Sequence, residues 1–428
     1  PPEDHGDPSQ GSPPEDREHK DPADVPPLVL TKESKIQLAV LAGNSLLLQL
    51  GIGMIIPCLP AYAQSLGLTE ASVGMVVAVP ALARACLNLP AGSLTDIVGR
   101  KVPMMAGSFL DGVGCIGTAV AGGLPVMVGA RLVMGSGSAI AGAAGAAYSM
   151  DVLAKFPDHK GRLIGLLQAG GALAWVLGPM LGGLLAERGG IALPFYLVGG
   201  SLLAMVPVVH FCLPETRPAA ATPLRQLQIR PLLASATGSF GELLRQREQQ
   251  GLLLMQFALF TGWSAALAVF PLYAASEWGA SPGDLGYLYS LSSVLGIVGS
   301  PLGGLVADRV GRRPAIVFGA AAAAAAYGLL PLMESHSGLL GVMALLGFGE
   351  AFLMSSMAAL ANDCTREELR GAQAALMSQV GDITFVVMPI ALTAVATQVS
   401  YGAAFGCTSA IMAGMNVALI GSAMRRAA

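Results

Sequence analysis

Long apolar runs, each of about 20 residues, recur twelve times between Ile36 and Met424 and are separated by short polar connections. A helix rises about 1.5 Å per residue, so each run is long enough to cross a hydrocarbon core about 30 Å thick. A backbone exposed to lipid must satisfy its own hydrogen bonds, and the runs are too long and too uniformly apolar for barrel strands. The pattern therefore predicts an all-α membrane protein. Its twelve transmembrane helices are expected at residues 36–60, 71–95, 102–122, 124–150, 163–186, 191–213, 251–275, 284–307, 314–333, 338–361, 372–398 and 402–424.

The composition indicates a surface that faces lipid. Of the 428 residues, 54% are apolar and 12% are charged, and the mean hydropathy is +0.63, whereas a soluble domain carries about 25% charged residues. An ordinary cytosolic enzyme is therefore excluded. The basic residues are spread along the chain and the net charge is −3, so nucleic-acid binding is not expected. The six cysteines and five histidines lack metal-ligand spacing, so neither a metal nor another cofactor is expected.

Lysine and arginine residues fall almost entirely on one side of the predicted bundle. Of these 24 residues, 21 lie before the first run, in every second connection or after the last run, and Arg188 lies on the other side. Arg84 and Arg131 lie inside runs. By the positive-inside rule, both termini are expected on the cytoplasmic or equivalent side, which requires an even number of spans.

The polar segments divide the chain into four parts. Residues 1–30 hold eight acidic residues and eight prolines, a composition typical of a disordered tail. Residues 31–213 are expected to form a six-helix bundle, residues 214–250 a cytoplasmic linker loop, and residues 251–428 a second six-helix bundle. Within the linker, residues 238–250 are expected to form a short amphipathic helix at the membrane surface.

An internal repeat relates the two predicted bundles. A loop segment that follows the second helix recurs after the eighth helix, displaced by 212 residues, and the same displacement places Asp151 on Asp363. Two bundles in the same orientation, related by an axis along the membrane normal, are therefore expected. The matched loop residues are Gly92, Asp96, Gly99, Arg100 and Lys101 in the first copy, and Gly304, Asp308, Gly311, Arg312 and Arg313 in the second.

The doubled loop, with its pattern GxxxDxxGRK, resembles the signature loop of the major facilitator superfamily, whose members contain parallel repeats. Residues 213–216, Leu-Pro-Glu-Thr, and Arg131 followed by two glycines in the fourth helix are further marks of this family. In the fifth helix, the Gly-Pro-x-x-Gly-Gly pattern is similar to that of proton-coupled drug and metabolite antiporters. This pattern consists of Gly178, Pro179, Gly182 and Gly183.

The resemblance implies a transporter whose two bundles rock about a shared passage. Asp96 and Asp308 can either cap the positive end of a neighbouring helix or pair with Arg100 and Arg312. The resemblance implies that this pairing acts as a latch at the inner face, which breaks when the bundles rock apart; the alternative is that both loops are ordinary structural turns. In the fifth helix, the Gly-Pro pattern either bends the helix and helps to seal the bundles or serves packing alone.

The loop glycines have a physical reason of their own. Gly99 and Gly311 are expected to permit a tight turn. Gly92 and Gly304, just before each loop, are expected to let neighbouring backbones approach closely.

Charged residues inside spans are the best indication of chemistry, because an ionised group at the bilayer centre costs about 2.5–3.5 kcal/mol on insertion scales. Asp111, Arg131, Glu350, Asp382 and Arg84 lie within predicted spans. Asp382 is either a proton-coupling or substrate-binding carboxylate, or a packing acid paired with backbone or a basic residue. Glu350 has no charged counterpart in the first half. Arg131 either acts on a nearby acid such as Asp111 or is a structural counter-ion.

Polar uncharged and aromatic side chains complete the candidate cavity. The amides are Asn44, Gln168, Gln256 and Gln379, and the aromatic residues are Trp175, Phe257, Trp263 and Tyr289. Few fixed charges beside several amides and aromatics suit a small organic substrate that is cationic or neutral.

We therefore expect a secondary transporter that moves a small organic solute by alternating access, with proton-coupled efflux as the leading mechanism and no enzymatic activity. The alternatives are a uniporter or symporter of a metabolite and a non-transporting membrane scaffold or sensor. The expected partners are the solute, protons and the lipid bilayer, and the expected state is a monomer. The expected location is a plasma or bacterial inner membrane; because the chain lacks an initiator Met, an organelle envelope remains the alternative.

Overall fold

The computed structural model describes residues 28–217 and 238–427, and these residues are almost entirely helical. The prediction of a disordered tail at 1–30 therefore falls, apart from 28–30, outside the described residues. Twelve long helices follow the predicted order. In the first half they are α1 (Lys32–Ile55), α2 (Glu70–Val98), α3 (Lys101–Ala119), α4 (Leu124–Leu153), α5 (Lys160–Gly189) and α6 (Leu193–Cys212). In the second half they are α7 (Arg247–Trp278), α8 (Pro282–Arg309), α9 (Arg312–Leu329), α10 (His336–Cys364), α11 (Arg370–Gln398) and α12 (Tyr401–Ala427).

Proline breaks two of the predicted spans. The first span was expected to run to residue 60, but α1 ends at Ile55, and a turn containing Pro57 leads into a separate short helix, Leu59–Ser65. The seventh helix contains a π-helical turn, Ala265–Val269. Pro271 lies two residues beyond this turn and has no N–H to donate to the preceding turn. Neither departure reflects a loss of apolar character, and near each one a proline lacks the N–H that would continue the helical hydrogen bonds.

The linker helix is also shorter than expected. Residues 238–245 are helical, the chain bends at Gln246, and α7 begins at Arg247. An ion pair between Glu242 and Arg366 and another between Glu248 and Arg313 join this region to the second half. The end of the predicted linker therefore belongs physically to the second bundle.

Eleven of the twelve helices in the described ranges are long and apolar enough to cross a membrane. The remaining helix, α3, is 19 residues long and carries Lys101 at its start and Asp111 in its interior. It packs closely against its neighbours: a Cβ added at Gly112 would lie 2.9 Å from the carbonyl oxygen of Gly199 on α6. The protein is an all-α membrane protein with two six-helix bundles.

The two bundles meet along two pairs of helices, α2 against α11 and α5 against α8. We call the end of the molecule that holds Arg100 and Arg312 the basic end, and the end that holds Thr69 and Ser281 the opposite end. The Oγ of Ser290 on α8 donates to the carbonyl oxygen of Val176 on α5 at 2.6 Å. Both helix pairs therefore bring the halves into direct contact near mid-helix and toward the opposite end.

Candidate functional site at the interface of the two halves

A buried carboxylate on α11 binds two side chains of α2. The Nε of Arg84 donates to Asp382 at 2.9 Å, and the Nδ2 of Asn88 donates to the other carboxylate oxygen at 2.7 Å. One turn earlier on α11, the Nε2 of Gln379 donates to the carbonyl oxygen of Ala85 at 2.9 Å. Arg84 and Asn88 are four residues apart and share one face of α2. We call these four side chains, Arg84, Asn88, Gln379 and Asp382, the interface cluster.

The interface cluster links charge state to the contact between halves. The side chain of Asp382 is 7% exposed and that of Arg84 is 31% exposed, so the carboxylate is more shielded than the guanidinium. A buried carboxylate that loses its partner is strongly unfavourable. Loss of one charge alone is therefore expected to weaken the contact of α2 with α11.

A second carboxylate lies inside the second half. Glu350 on α10 accepts a hydrogen bond from the Nε1 of Trp263 at 3.0 Å and one from the hydroxyl of Tyr327 at 2.7 Å. Two aromatic donors from α7 and α9 thus hold this carboxylate, and no basic side chain among the described residues pairs with it. Trp263 precedes the π-helical turn by two residues. A π-turn changes the direction in which flanking side chains point and is common at functional sites.

Aromatic rings connect the two carboxylates. The ring of Phe260 lies 4.9 Å from that of Trp263 and 5.4 Å from that of Phe385, centroid to centroid. A Cβ added at Gly381 would lie 2.5 Å from Phe260. Gly381 immediately precedes Asp382, so the lack of a side chain there lets the aromatic cluster reach the backbone of the interface cluster.

Asp111 and Arg131 lie apart from this site, in the interior of the first half. Both are buried. The Sγ of Cys115 is 3.9 Å from Asp111, and a nitrogen of Arg131 contacts the sulfur of Met134 at 3.4 Å. Within the described residues the two do not form an ion pair with each other. Arg131 lies over the ring of Phe195, 5.8 Å from its centroid, which supplies part of its stabilisation.

The predicted amides fall in different environments. The Nε2 of Gln256 donates to the carbonyl oxygen of Met377 at 3.3 Å, which joins α7 to α11. Asn44 is buried and its Oδ1 has no hydrogen-bond partner among the described residues, while Gln168 is exposed. Of the four amides, only Gln379 belongs to the interface cluster.

The aromatic candidates also divide. Trp263 belongs to the Glu350 site, whereas Tyr289 is buried and its hydroxyl donates to the carbonyl oxygen of Ala266 inside the π-turn. Trp175 of α5 and Phe257 of α7 pack against the apolar core of the second half. Trp175 therefore contributes to the contact between the halves.

The Gly-Pro segment of α5 lies where three helices meet. A Cβ at Gly182 would lie 2.1 Å from the carbonyl oxygen of Met54 on α1, and one at Gly183 would lie 2.3 Å from that of Pro282 on α8. From the other side, Gly286 of α8 approaches the carbonyl oxygen of Pro179. Gly178 is close to α1 in the same way. The segment therefore lets α5 approach α1 of its own half and α8 of the other half.

The doubled loops form matching charge clusters at the basic end. Arg100 pairs with Asp96 at 2.7 Å and with Asp151 at 3.2 Å. In the second half, Arg312 pairs with Asp308 and, at 2.7 Å, with Asp363. The repeat seen in the sequence is thus repeated in space as two Asp–Arg–Asp triads, and each closes within its own half rather than between halves.

Further contacts support the first triad. The backbone N–H groups of Arg100 and Lys101 donate to Glu215 at 2.8 and 3.0 Å. Burial of Glu215 opposes its ionisation, but N–H donation from Arg100, Arg217 and Lys101 outweighs burial and holds the pKa of Glu215 below its ordinary value. In the second half, Arg313 pairs instead with Glu248 at 3.0 Å.

One prediction about the loop glycines is wrong. A Cβ at Gly92 or Gly304 would meet nothing within 4 Å, so neither is a site of close approach. Tight packing in the second half occurs one residue earlier, at Gly303, which faces the backbone of Phe352 on α10. Adjacent residues of a helix point about 100° apart, so Gly303 faces α10 where Gly304 does not.

Gly99 and Gly311 have φ values of +98° and +117°, which side-chain-bearing residues rarely adopt.

Several partners were not identified from the sequence. Asn88 and Tyr327 bind the two carboxylates, and Tyr401 of α12 donates to Glu70 of α2 at 2.9 Å, across the halves. For Asn88 a signal was present, because it lies one helical turn from Arg84. Tyr327 and Tyr401 carry no such local signal.

Comparisons with known proteins agree with this architecture. An uncharacterized MFS-type transporter of Methanocaldococcus jannaschii is 32% identical to this chain over an aligned stretch of 159 residues. The stretch covers 37% of this chain and 41% of that protein. The quinolone resistance protein NorA of Staphylococcus aureus is 27% identical over 267 residues, covering 61% of this chain and 64% of NorA. The chain thus spans less than two thirds of the length of either relative.

Solved structures share the fold over nearly the whole chain. A bacterial homologue of the human lysosomal transporter Spinster, inward-facing and unoccupied, superposes with a TM-score of 0.74 at 14% identity, covering 92% of this chain and 96% of that chain. A POT family transporter in complex with a thioalcohol-conjugated peptide gives a TM-score of 0.75 at 11% identity, covering 91% and 96%. The model of the Major Facilitator Superfamily matches residues 41–248 and 252–426. With two matched six-helix bundles and this match across both, the chain belongs to the Major Facilitator Superfamily.

Proposed function

We propose that this protein is a secondary active transporter that exports a small organic solute in exchange for protons. The observation that carries the proposal is the hydrogen-bonded ion pair between Arg84 and Asp382 across the two halves. A carboxylate in this position gives proton binding a direct mechanical consequence. When a proton neutralises Asp382, Arg84 loses its counter-charge and the α2–α11 contact weakens.

The proposed coupling is competition for charge. Protonation of Asp382 frees Arg84 and Asn88 from their shared partner, and the halves separate on the side where that contact had held them. Release of the proton restores the pair. The solute binds more tightly to one arrangement of the halves, and the proton binds more tightly to the other. Because both ligands shift the same equilibrium, binding of one promotes release of the other.

The proposed solute site is centred on Glu350. Its carboxylate and the rings of Phe260 and Trp263 provide a negative group beside aromatic faces, which suits an organic cation or a neutral aromatic molecule. NorA, a relative at 27% identity, is named for quinolone resistance. Quinolones, which carry an amine and an aromatic ring system, therefore make a rational first set of substrates.

The proposed orientation places the basic end in the cytoplasm. Most Lys and Arg residues lie there, as the positive-inside rule requires. Cross-half bonds such as those of Tyr401 with Glu70 and of Ser281 with Glu187 lie at the opposite end, which supports an arrangement open toward the cytoplasm. Cysteines introduced at Ala154 and Gly279 should react with an impermeant maleimide from opposite sides; labelling of both from one side contradicts the orientation.

Flux measurements in proteoliposomes test the function. A thermal-shift screen of quinolones and organic cations first selects a ligand that binds the purified protein. Transport of that ligand should follow an imposed pH gradient. Asp382→Asn should abolish the dependence on the gradient, whereas Asp284→Asn, which neutralises an exposed carboxylate at the opposite end, should keep it. Flux of the wild-type protein that ignores the gradient identifies a uniporter instead.

A further inference from the structure

A cavity at the opposite end of the second half lies outside the interface cluster and the Glu350 site. Its volume is about 660 Å³, within the range that accommodates a drug-sized molecule. The ends of α7 and α11, the beginning of α12 and the connection between α9 and α10 form its walls. The side chains used below are Tyr273, Glu277, Trp278, Glu334 and Tyr401.

The aromatic wall is held in place by contacts within the protein. The Nε1 of Trp278 donates to the hydroxyl of Tyr273 at 3.3 Å, and that hydroxyl donates to the carbonyl oxygen of Leu330 at 3.3 Å. The rings of Tyr273 and Tyr401 are 5.8 Å apart, in an edge-on arrangement. Tyr273 is itself buried, while the rings of Trp278 and Tyr401 are half-buried. Rings held in place lose little side-chain freedom on binding, which favours a ligand that interacts with aromatic side chains.

The charged groups of the cavity are both acidic. Glu277 and Glu334 are exposed carboxylate side chains that line it, and neither forms an ion pair with another described residue. Among the described residues, no Lys or Arg lines the cavity. A positive ligand therefore meets two carboxylates and aromatic side chains, with no lysine or arginine of the described residues beside it.

We propose that this cavity binds an organic cation that carries aromatic or alkyl groups. The assignment rests on the coincidence of volume, ring faces and uncompensated carboxylates in one place. It does not depend on the transport direction or on proton coupling. The hydroxyl of Tyr401 also donates to Glu70 of the first half, so a bound cation contacts a residue that joins the two halves at the opposite end.

Binding of propidium, a membrane-impermeant aromatic dication whose fluorescence rises on binding, tests the proposal with the purified full chain in nanodiscs. We expect saturable binding that the double variant Glu277→Gln/Glu334→Gln weakens about tenfold, with Trp278→Leu as a second variant that weakens it through loss of a ring. All substituted carboxylates are exposed, and a thermal-unfolding scan of each variant verifies that it is folded.

A matched control separates this cavity from other sites. Asp284→Asn removes one exposed carboxylate from the same end but outside the cavity, and it should leave propidium affinity within twofold. Propidium binding is measured at equilibrium without a pH gradient, so failure of proton coupling and failure of this cavity are distinguishable. The proposal is overturned if the double variant binds as the wild type does, or if Asp284→Asn weakens binding equally.

Discussion

The side chains of Arg84 and Asp382 meet at 2.9 Å although 298 positions separate them in the chain. This pair joins the second helix of the first bundle to the fifth helix of the second. Asp382 is nearly inaccessible, so leaving its carboxylate unpaired costs free energy. Because its partner lies in the other bundle, this cost weakens the contact between the halves.

Removal of the cation should destabilise the protein. We expect Arg84→Leu to lower the free energy of unfolding by about 1–3 kcal/mol, below the cost for a fully buried pair because the guanidinium is partly exposed. The double variant Arg84→Leu/Asp382→Leu should recover most of the loss, since no charge is left unpaired. Thermal unfolding measures both, with Arg188→Leu, an exposed arginine at the opposite end, as the control. A double variant no more stable than Arg84→Leu alone contradicts the pairing.

Neutralising Glu350 should discriminate between substrates by charge. Glu350→Gln keeps the size of the side chain but removes its charge and one acceptor, so the affinity for a cationic ligand should fall about tenfold, which corresponds to about 1.4 kcal/mol. A neutral ligand of similar shape should lose less than threefold. Isothermal titration with a matched pair of ligands measures the difference. Equal losses for both ligands indicate that Glu350 serves structure and not recognition.

Crowding at the Gly-Pro segment of α5 offers a steric test. Gly182→Ala places a methyl group too close to the carbonyl oxygen of Met54, so we expect a loss of about 1–3 kcal/mol in stability. Gly165 lies on the same helix with open space around it. Gly165→Ala should be neutral or slightly stabilising because alanine favours a helix. Comparison of the two melting temperatures is the measurement, and similar values for both refute close packing at Gly182.

Glu215 predicts a pH dependence at the basic end. Its pKa is lowered in the folded protein from an ordinary value of 4.5, so its contribution to stability is complete above that value and is lost as the pH falls through the lower folded pKa. Between pH 6 and pH 3.5, the melting temperature of the wild type should therefore fall more than that of Glu215→Gln. If the melting temperatures of the two proteins fall in parallel with pH, the N–H contacts of Glu215 do not contribute to stability.

The helices were largely predictable because lipid solvation imposes one simple rule, an apolar run long enough to span the membrane. The end of α1 near Pro57 and the π-helical turn before Pro271 were harder to predict, because hydropathy does not register a missing N–H or a widened turn. The paired Asp151 and Asp363 were visible through the repeat. The bond between Arg84 and Asp382 was not, because the repeat relates equivalent positions in the two halves and does not fix how one bundle tilts against the other.

The triads at the basic end have a consequence for how the chain is connected. Arg100 and Arg312 each bind acids of their own bundle. Glu242, in the segment before α7, and Glu248, in the first turn of α7, pair with arginines of the second bundle. A polypeptide interrupted after Arg217 and restarted at Gly238 therefore keeps each of these bonds. When the halves are produced together as two separate chains, we expect them to assemble, with recognition between them through the α2–α11 and α5–α8 surfaces.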